Sequence, residues 1–315
     1  MTRLTTRKLW VDTDMGFDDL AGLLALQHAP GVEIVGVSLV AGNAPLDEVR
    51  NNAQRAAACF GWQFPIHLGA AKPLACELVT AQNVLGHDGM GSAGITLPTQ
   101  LAPLHPQPAV DAMPEAFSGA EPFDLLALGP LTNVAQLLQR PTPALQSLWW
   151  MGGSFGAGNH TAAAEFNAFV DPEAAQICVE KCAERGIAFH MVGLDACRQV
   201  QVTVEDCNAL RRAPGKHAQL LADLLLGYVQ IGGAAQSMNL YDPTAAAAWL
   251  HPNHMQFKPA HLVVECIGQH TRGMTVCEFR VPRKAHANAQ IASLANAQGI
   301  RHTVLAALAA AADGF

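Results

Sequence analysis

Four carboxylates fall within the segment Val11-Asp12-Thr13-Asp14-Met15-Gly16-Phe17-Asp18-Asp19. Like charges packed this closely repel unless something positive sits among them. A divalent cation is the simplest remedy. All-oxygen ligands favour Ca²⁺ or Mg²⁺ over zinc, and Ca²⁺ tolerates irregular sites where Mg²⁺ requires an octahedron. A carboxylate beside a metal-bound water can also act as a general base.

The flanking sequence sets where these groups stand. Leu9–Thr13 is a short apolar run that reads as a buried strand. Asp18–Gln27 places Leu20, Leu23, Leu24 and Ala25 at helical spacing, and Pro30-Gly31 ends that helix. Asp12 and Asp14 then fall at the carboxyl end of the strand, on one face by alternation. Ligands of open parallel sheets bind outside that end. Gly16 permits a tight turn. Asp18 and Asp19 occupy the first helical turn, where the helix dipole favours negative charge. That helix-start role can account for one or both of them without a metal, but not for Asp12 and Asp14 as well.

The same alternation continues. Strands are expected over Glu33–Ala41, Pro65–Leu68, Phe123–Leu128, Leu148–Gly152 and Ala188–Leu194. Helices are expected over Asp47–Phe60, Leu131–Gln139 and from Asp171-Pro172-Glu173 to Arg185, stopped by Gly186. Helices Thr203–Arg212, Lys216–Val229, Pro243–Leu250 and Ile300–Ala312 follow. His261–Ile267 and Met274–Val281 read as an antiparallel hairpin. The expected fold is α/β. It is one domain over residues 1–315, built on a mostly parallel, doubly wound sheet with flanking helices and a small antiparallel hairpin near the C-terminus. Three segments, Leu74–Thr99, Gly152–Asn167 and Gly227–Asp242, have the polar, Gly-bearing character of binding loops.

Bulk properties narrow the partners. The net charge of −7 and pI near 6.0 argue against nucleic acid or an anionic membrane surface as the main partner. Only 14% of residues are charged, which fits either subunit contacts or simply an Ala-rich chain. None of the eight cysteines forms a C-x-x-C pair, so buried reduced thiols are expected. Met1-Thr2-Arg3-Leu4 carries no apolar signal segment, and no apolar run is long enough to span a bilayer. A cytoplasmic location is expected.

The acidic segment Asp12–Asp19 resembles the N-terminal signature of the inosine-uridine preferring nucleoside hydrolases. Further matches follow in order: Val40-Ala41-Gly42-Asn43, Gly129-Pro130-Leu131-Thr132-Asn133, Met151-Gly152-Gly153, Gly158-Asn159 with Ala164-Glu165-Phe166-Asn167, and Asp242-Pro243. The resemblance implies Ca²⁺-dependent hydrolysis of the N-glycosidic bond of ribonucleosides in salvage, by a homodimer or homotetramer. It implies Asp14 as the water-activating base and a Ca²⁺ ligand. Asp19, Asp242 and the Leu128 carbonyl would complete the ligand set, with Asp12 and Asp18 as orienting neighbours. Asn43, Asn159, Glu165 and Asn167 would bond the ribose hydroxyls. Met151 would line the sugar pocket, and Phe166 would lie near the ring oxygen.

Two positions depart from the family pattern. Met15 stands where the signature usually has Pro, which changes turn rigidity more than chemistry. Tyr241 stands where well-known members carry a His that protonates the leaving base, and Leu85 falls where the family's other base-pocket His is expected. Tyr is a poor acid at neutral pH. Either Tyr241 bonds the base while His87 supplies the proton, or the base needs less help, or the natural substrate is not an ordinary nucleoside. Against these stand the plainer readings of Tyr241 as packing and His87 as an exposed loop residue.

Three rival readings remain. A nucleoside- or ribose-binding protein with weak or lost turnover would follow from the Tyr241 substitution. A haloacid-dehalogenase-like phosphatase would use Asp12 as nucleophile, but Gly16 sits where that class wants Thr or Val. An EF-hand-like loop is contradicted by its start on a strand and its missing Glu.

Overall fold

The computed structural model describes residues 6–233, 235–280 and 286–314. Met1–Leu4, read above for the absence of a signal segment, and Val281, read as the end of the hairpin, lie outside the described residues. The strands are β1 (Arg7–Thr13), β2 (Val32–Leu39), β3 (Ile66–Leu68), β4 (Phe123–Ala127), β5 (Leu145–Met151), β6 (Ala188–Val192), β7 (Gln201–Thr203), β8 (Ser237–Asn239), β9 (Met255–Val264), β10 (Thr275–Glu278) and β11 (Ala289–Ala295). The helices are α1 (Phe17–Gln27), α2 (Leu46–Phe60), α3 (Gln82–Leu85), α4 (Ala109–Phe117), α5 (Thr132–Leu137), α6 (Phe166–Val170), α7 (Pro172–Arg185), α8 (Leu194–Cys197), α9 (Val204–Arg211), α10 (Ala218–Val229), α11 (Asp242–Leu250) and α12 (Ala297–Asp313).

Among the described residues nine strands form one sheet in the order β10-β9-β11-β6-β5-β4-β1-β2-β3. From β11 to β3 every pairing is parallel, and β9 and β10 add antiparallel at one edge. The chain winds outward from β1 through β2 to β3, then returns to the other side of β1 and runs through β4, β5 and β6. That reversal leaves a crevice at the carboxyl ends of β1 and β4, the place where doubly wound sheets bind ligands.

Each face of the sheet is covered by apolar side chains. Leu9 and Val11 pack on one face with Leu20, Leu23 and Leu24 of α1 and with Trp249 of α11. Trp10 and Ala127 point to the other face, against α4, α5 and α7. Strand alternation therefore assigns neighbouring residues of β1 to separate cores. α7 begins as expected, with Asp171 capping the Ala174 N–H at 3.0 Å and Pro172 in the first turn, and Gly186 closes it in the left-handed region at φ 70°.

The hairpin is present, with Val264 opposite Thr275, but it is not a separate appendage. β9 runs back to Met255 and pairs with β11, which in turn pairs with β6, so the hairpin extends the main sheet. β11 and α4 carried no clear signal in the sequence. β11 is rich in Ala, which strands disfavour, and α4 contains Pro114. All eight cysteines are free thiols, as expected. Among the described residues no helix is long and apolar enough to cross a membrane.

Trp249 ties the α11 layer to the sheet. It is fully buried, its indole N–H donates to Asp124 Oδ2 at 2.9 Å, and the Arg7 guanidinium lies 3.8 Å over its ring. Trp249→Ala should lower unfolding stability by about 3–5 kcal/mol. A urea titration checks this, and a midpoint unchanged from wild type would contradict the packing.

Candidate functional site

The acidic segment turns sharply at the end of β1. Met15 adopts φ 47°, the only non-glycine residue in the left-handed region among the described residues. Proline cannot take that value, so the Met at this position goes with a turn of different backbone shape. Two hydrogen bonds hold it: Met15 N–H donates to Thr13 Oγ1 at 3.1 Å, and Asn52 Nδ2 donates to the Met15 carbonyl at 3.2 Å. Gly16 is extended at φ −78°, so its value lies in close approach: a Cβ there would stand 2.9 Å from Asn43 Nδ2.

Asp19 starts the helix and also closes the site. One oxygen accepts the Gly16 N–H at 2.8 Å and the other accepts the Thr13 hydroxyl at 2.5 Å. The helix-start role is therefore real. Yet ligand oxygens of Asp18, Asp19 and Asp242 lie within 4.8 Å of one another, a spacing that could hold a metal ion. Asp242 arrives from far along the chain, as the first residue of α11. Asp18 thus joins the oxygen cluster directly.

Asp14 is buried next to them. Its Oδ2 accepts the Asn43 N–H at 2.7 Å, and Asn43 Nδ2 donates to Oδ1 at 3.2 Å. Gly42 and Gly129 form the wall around it: a Cβ on Gly42 would stand 2.2 Å from Asp14 Oδ2, and one on Gly129 3.1 Å from Cγ. Close approach to one carboxylate excludes a side chain at Gly42 and makes one at Gly129 tight.

Burial dominates the electrostatics. It pushes the Asp14 and Asp242 carboxyls well above their usual range, with Asp19 adding repulsion at Asp14 and Asp18 at Asp242. Burial and Asp19 push Asp18 up to about 7. Burial likewise pushes Asp12 up to about 7, against the pull of Ser38 and Asn133. Asp12 accepts the Ser38 hydroxyl and, at 2.8 Å, Asn133 Nδ2 on the same oxygen, while its Oδ2 has no partner.

Above this acidic floor opens a cavity of 390 Å³. Asp14, Asp18 and Asp242 face it, together with Asn43, Leu128 and Met151. Asn159, Glu165, Phe166 and Asn167 form one wall, and Tyr241 another. All three segments read as binding loops contribute to the lining. Glu165 caps α6, accepting N–H groups of Gly153, Asn167 and Ala168 at 2.8–3.0 Å, and burial pushes its carboxyl up to about 7. Asn167 Nδ2 donates to the carbonyls of Leu128 and Met151 at 2.9 and 3.0 Å. Burial also raises the half-buried Tyr241 phenol above its ordinary value of 10.0.

Three of the residues singled out from sequence do not line the cavity. Asp12 and Asp19 are fully buried and stand behind it. His87 is exposed and lies off the cavity; its loop presents Asn83, Val84 and Leu85 instead. The geometry therefore favours the plain reading of His87. Lining residues that the sequence did not point to include His160, Tyr228, Ile231 and Met238. His160 could have been found, because it directly follows Asn159 in a predicted loop. The others lie within Gly227–Asp242, a segment read as a binding loop without these side chains being singled out; they sit on α10, on the turn after it and on β8.

Residues 9–302 match the family described as inosine-uridine preferring nucleoside hydrolase. A pyrimidine-specific ribonucleoside hydrolase, RihA of Shewanella woodyi, is 36% identical over 283 residues, covering 87% of this chain and 88% of the relative. A non-specific ribonucleoside hydrolase, RihC of Salmonella heidelberg, is 34% identical over 305 residues, covering 96% and 97%. Among solved structures, a purine-preferring ribonucleoside hydrolase from Gardnerella vaginalis aligns with a TM-score of 0.88 at 23% identity, covering 98% of this chain and 99% of that one. At that identity the likeness speaks for the fold.

Asn133 ties the floor of the site to the sheet. Its Nδ2 donates to Asp12 and to the Leu39 carbonyl at 3.0 Å, and its Oδ1 accepts the Ala70 N–H at 2.8 Å. Asn133→Ala removes the side-chain partner of the Ala70 N–H and the Leu39 carbonyl and leaves Asp12 with Ser38 alone, and should cost about 1–3 kcal/mol. Denaturant unfolding measures the loss, and a fully stable variant would show that the network carries no load.

Proposed function

The chain belongs to the inosine-uridine preferring nucleoside hydrolases, and from that premise we propose that it is a Ca²⁺-dependent enzyme with Asp14 as general base, acting in nucleoside salvage. As a nucleoside N-ribohydrolase it splits the N-glycosidic bond of ribonucleosides to give ribose and a free base. The observation that carries the finer reading is the meeting of Asp14, Asp18 and Asp242 at the floor of one cavity, with Asp19 directly behind them.

The donor set fits a calcium ion. Three buried or half-buried carboxylates offer oxygens within 4.8 Å of one another, and among the described residues no Lys or Arg lines the cavity to neutralise them. Asp19 and Asp242 would hold the ion, with Asp18 in the same oxygen cluster and Asp14 and the Leu128 carbonyl facing the same space. When bound, Ca²⁺ supplies the missing positive charge and a hold on the 2′- and 3′-hydroxyls of the sugar.

The remaining chemistry rests on the chain's own groups. Cleavage passes through an oxocarbenium-like state. Positive charge growing on the ribose is stabilised by the carboxylate and amide oxygens around it. Asn43 fixes both oxygens of Asp14, so the base is aimed before substrate arrives. Asp14 takes the proton of the attacking water, which enters opposite the leaving base and inverts the anomeric carbon.

The lining also bears on the substrate class. Asp14, Asp18, Glu165 and Asp242 face the cavity and, among the described residues, no Lys or Arg does, so a 5′-phosphate would find no side-chain cation to pair with. This supports a neutral nucleoside over a 5′-nucleotide, and it counts against the phosphatase reading. The binding-only reading finds no support in relatives whose names all state hydrolysis.

Asp14→Ala should lower kcat by about 10²–10⁴-fold, judged by reducing-sugar release across a ribonucleoside panel. Retained turnover would defeat the assignment of the base. Chelation should abolish activity and Ca²⁺ add-back restore it. Ca²⁺ at a hundredfold excess over Kd should also raise the free energy of unfolding by about 2.7 kcal/mol, read as a higher unfolding midpoint. Full activity in excess chelator would remove the metal from the proposal.

A further inference from the structure

Cleavage of an uncharged nucleoside sends the electron pair of the C1′–N bond onto the base. The base then leaves as an anion unless a proton reaches it. Among the described residues the cavity is poor in groups that could give one. Leu85 has no proton to give. The Tyr228 hydroxyl donates to the Asn239 carbonyl at 2.6 Å, and the Tyr241 hydroxyl is bonded to the Asn239 side chain. Both Glu165 oxygens accept backbone N–H groups at 2.8–3.0 Å. His160 is the one imidazole in the lining among the described residues, with its ring against Phe166 and Phe169. Burial lowers its pKa below the ordinary 6.5, so it stands uncharged at neutral pH and parts with its remaining proton far less readily than an imidazolium.

The same lining is rich in negative charge. Asp14, Asp18, Glu165 and Asp242 face the cavity and Asp19 lies behind them, while among the described residues no Lys or Arg is present. A bound Ca²⁺ offsets two of those five formal charges, so the space above the floor stays attractive to a further cation. Phe166, Tyr228 and Tyr241 also line it. Aromatic faces attract a cation through their quadrupole and stack on flat heteroaromatic rings.

Resting on the hydrolase reading, and among nucleosides that carry no phosphate, we infer that the site prefers ribonucleosides whose glycosidic nitrogen is already positively charged, the N-ribosylpyridinium class. When that C1′–N bond breaks, its electron pair neutralises the ring nitrogen. The base leaves as an uncharged pyridine and takes no proton. The water oxygen bonds to C1′, and the water's proton passes to Asp14 and from there to solvent. One cationic riboside and one water thus give ribose, a neutral base and one proton. The proton transfer that this cavity is poorly equipped to make is not needed, and the charge that enters is of the sign its lining attracts.

The test compares nicotinamide riboside with uridine and inosine on the Ca²⁺-loaded wild type. An acid at the leaving base contributes about 10²–10⁴-fold, so kcat/KM for nicotinamide riboside should exceed that for either uncharged nucleoside by about a hundredfold or more. Tyr241→His places an imidazole at position 241 and should narrow this ratio by about tenfold or more, through faster cleavage of uridine and inosine. A binding measurement is independent of turnover. Calorimetry on Ca²⁺-loaded Asp14→Ala, which consumes ligand slowly, should show nicotinamide riboside bound about tenfold more tightly than uridine at low salt, an advantage that shrinks as NaCl is raised. A wild-type ratio below about tenfold, or equal affinities at low salt, overturns the inference, and turnover of uridine or inosine then leaves the hydrolase reading standing. A folded Tyr241→His with an unchanged ratio overturns it too; if that variant does not fold, the other two measurements decide. No ribose released from any of the three compounds removes the hydrolase reading itself.

Discussion

The site depends on one unfavourable interaction: carboxylates gathered where water is scarce and where, among the described residues, no Lys or Arg stands among them. Desolvation and mutual repulsion both favour the protonated forms, as the upward shifts at Asp14, Asp18 and Asp242 express. A fold accepts such a cost when binding relieves it. The surrounding structure is arranged to keep the carboxylates in place meanwhile. Thr13 and Gly16 hold Asp19, Asn43 holds Asp14, and Ser38 and Asn133 hold Asp12.

That arrangement follows from sheet topology. Reversal of winding at β1 opens a crevice that no crossover helix fills, and the acidic turn sits at its lip. α11 brings Asp242 to the same point, and Gly22 on α1 faces the Asp242 backbone, where a Cβ would stand 3.6 Å away. Two helices in close contact thereby fix carboxylates that are distant in sequence. Such preorganisation is what a reaction with growing positive charge requires.

Much of this was legible in the chain. The strand–turn–helix around Asp12–Asp19 is written in periodicity and turn chemistry, and so are α7 with its Asp171 cap and the parallel order of the first strands. The convergence of Asp242 with Asp18 and Asp19 is not local, and only resemblance to a family pointed to it. Local pattern also could not show that Met15 takes φ 47°, since the price of that conformation is met by Asn52, a residue on another helix. β11 escaped because its Ala-rich strand gains its stability from β6 and β9 on either side, not from propensity. His87 and His160 show the same limit: both are loop histidines near matched motifs, and only the path of the backbone separates the exposed ring from the one at the cavity.

Position 241 bears on how the leaving base departs. Burial raises the Tyr241 phenol above its ordinary value, which makes it a weaker proton donor than an imidazole though still able to offer a hydrogen bond. Leu85 offers neither. His160 follows β5, on the far side of β4 and β1 from Asn43 in the sheet order, with its ring held between Phe166 and Phe169. With base protonation left without an evident donor, more of the barrier reduction falls to the sugar half of the site. The oriented Asp14, the amides of Asn43 and Asn159, and the acidic floor all act there. Among nucleosides bound alike, the rate would then follow the intrinsic leaving ability of the base more steeply than in an enzyme with a poised imidazole at that position.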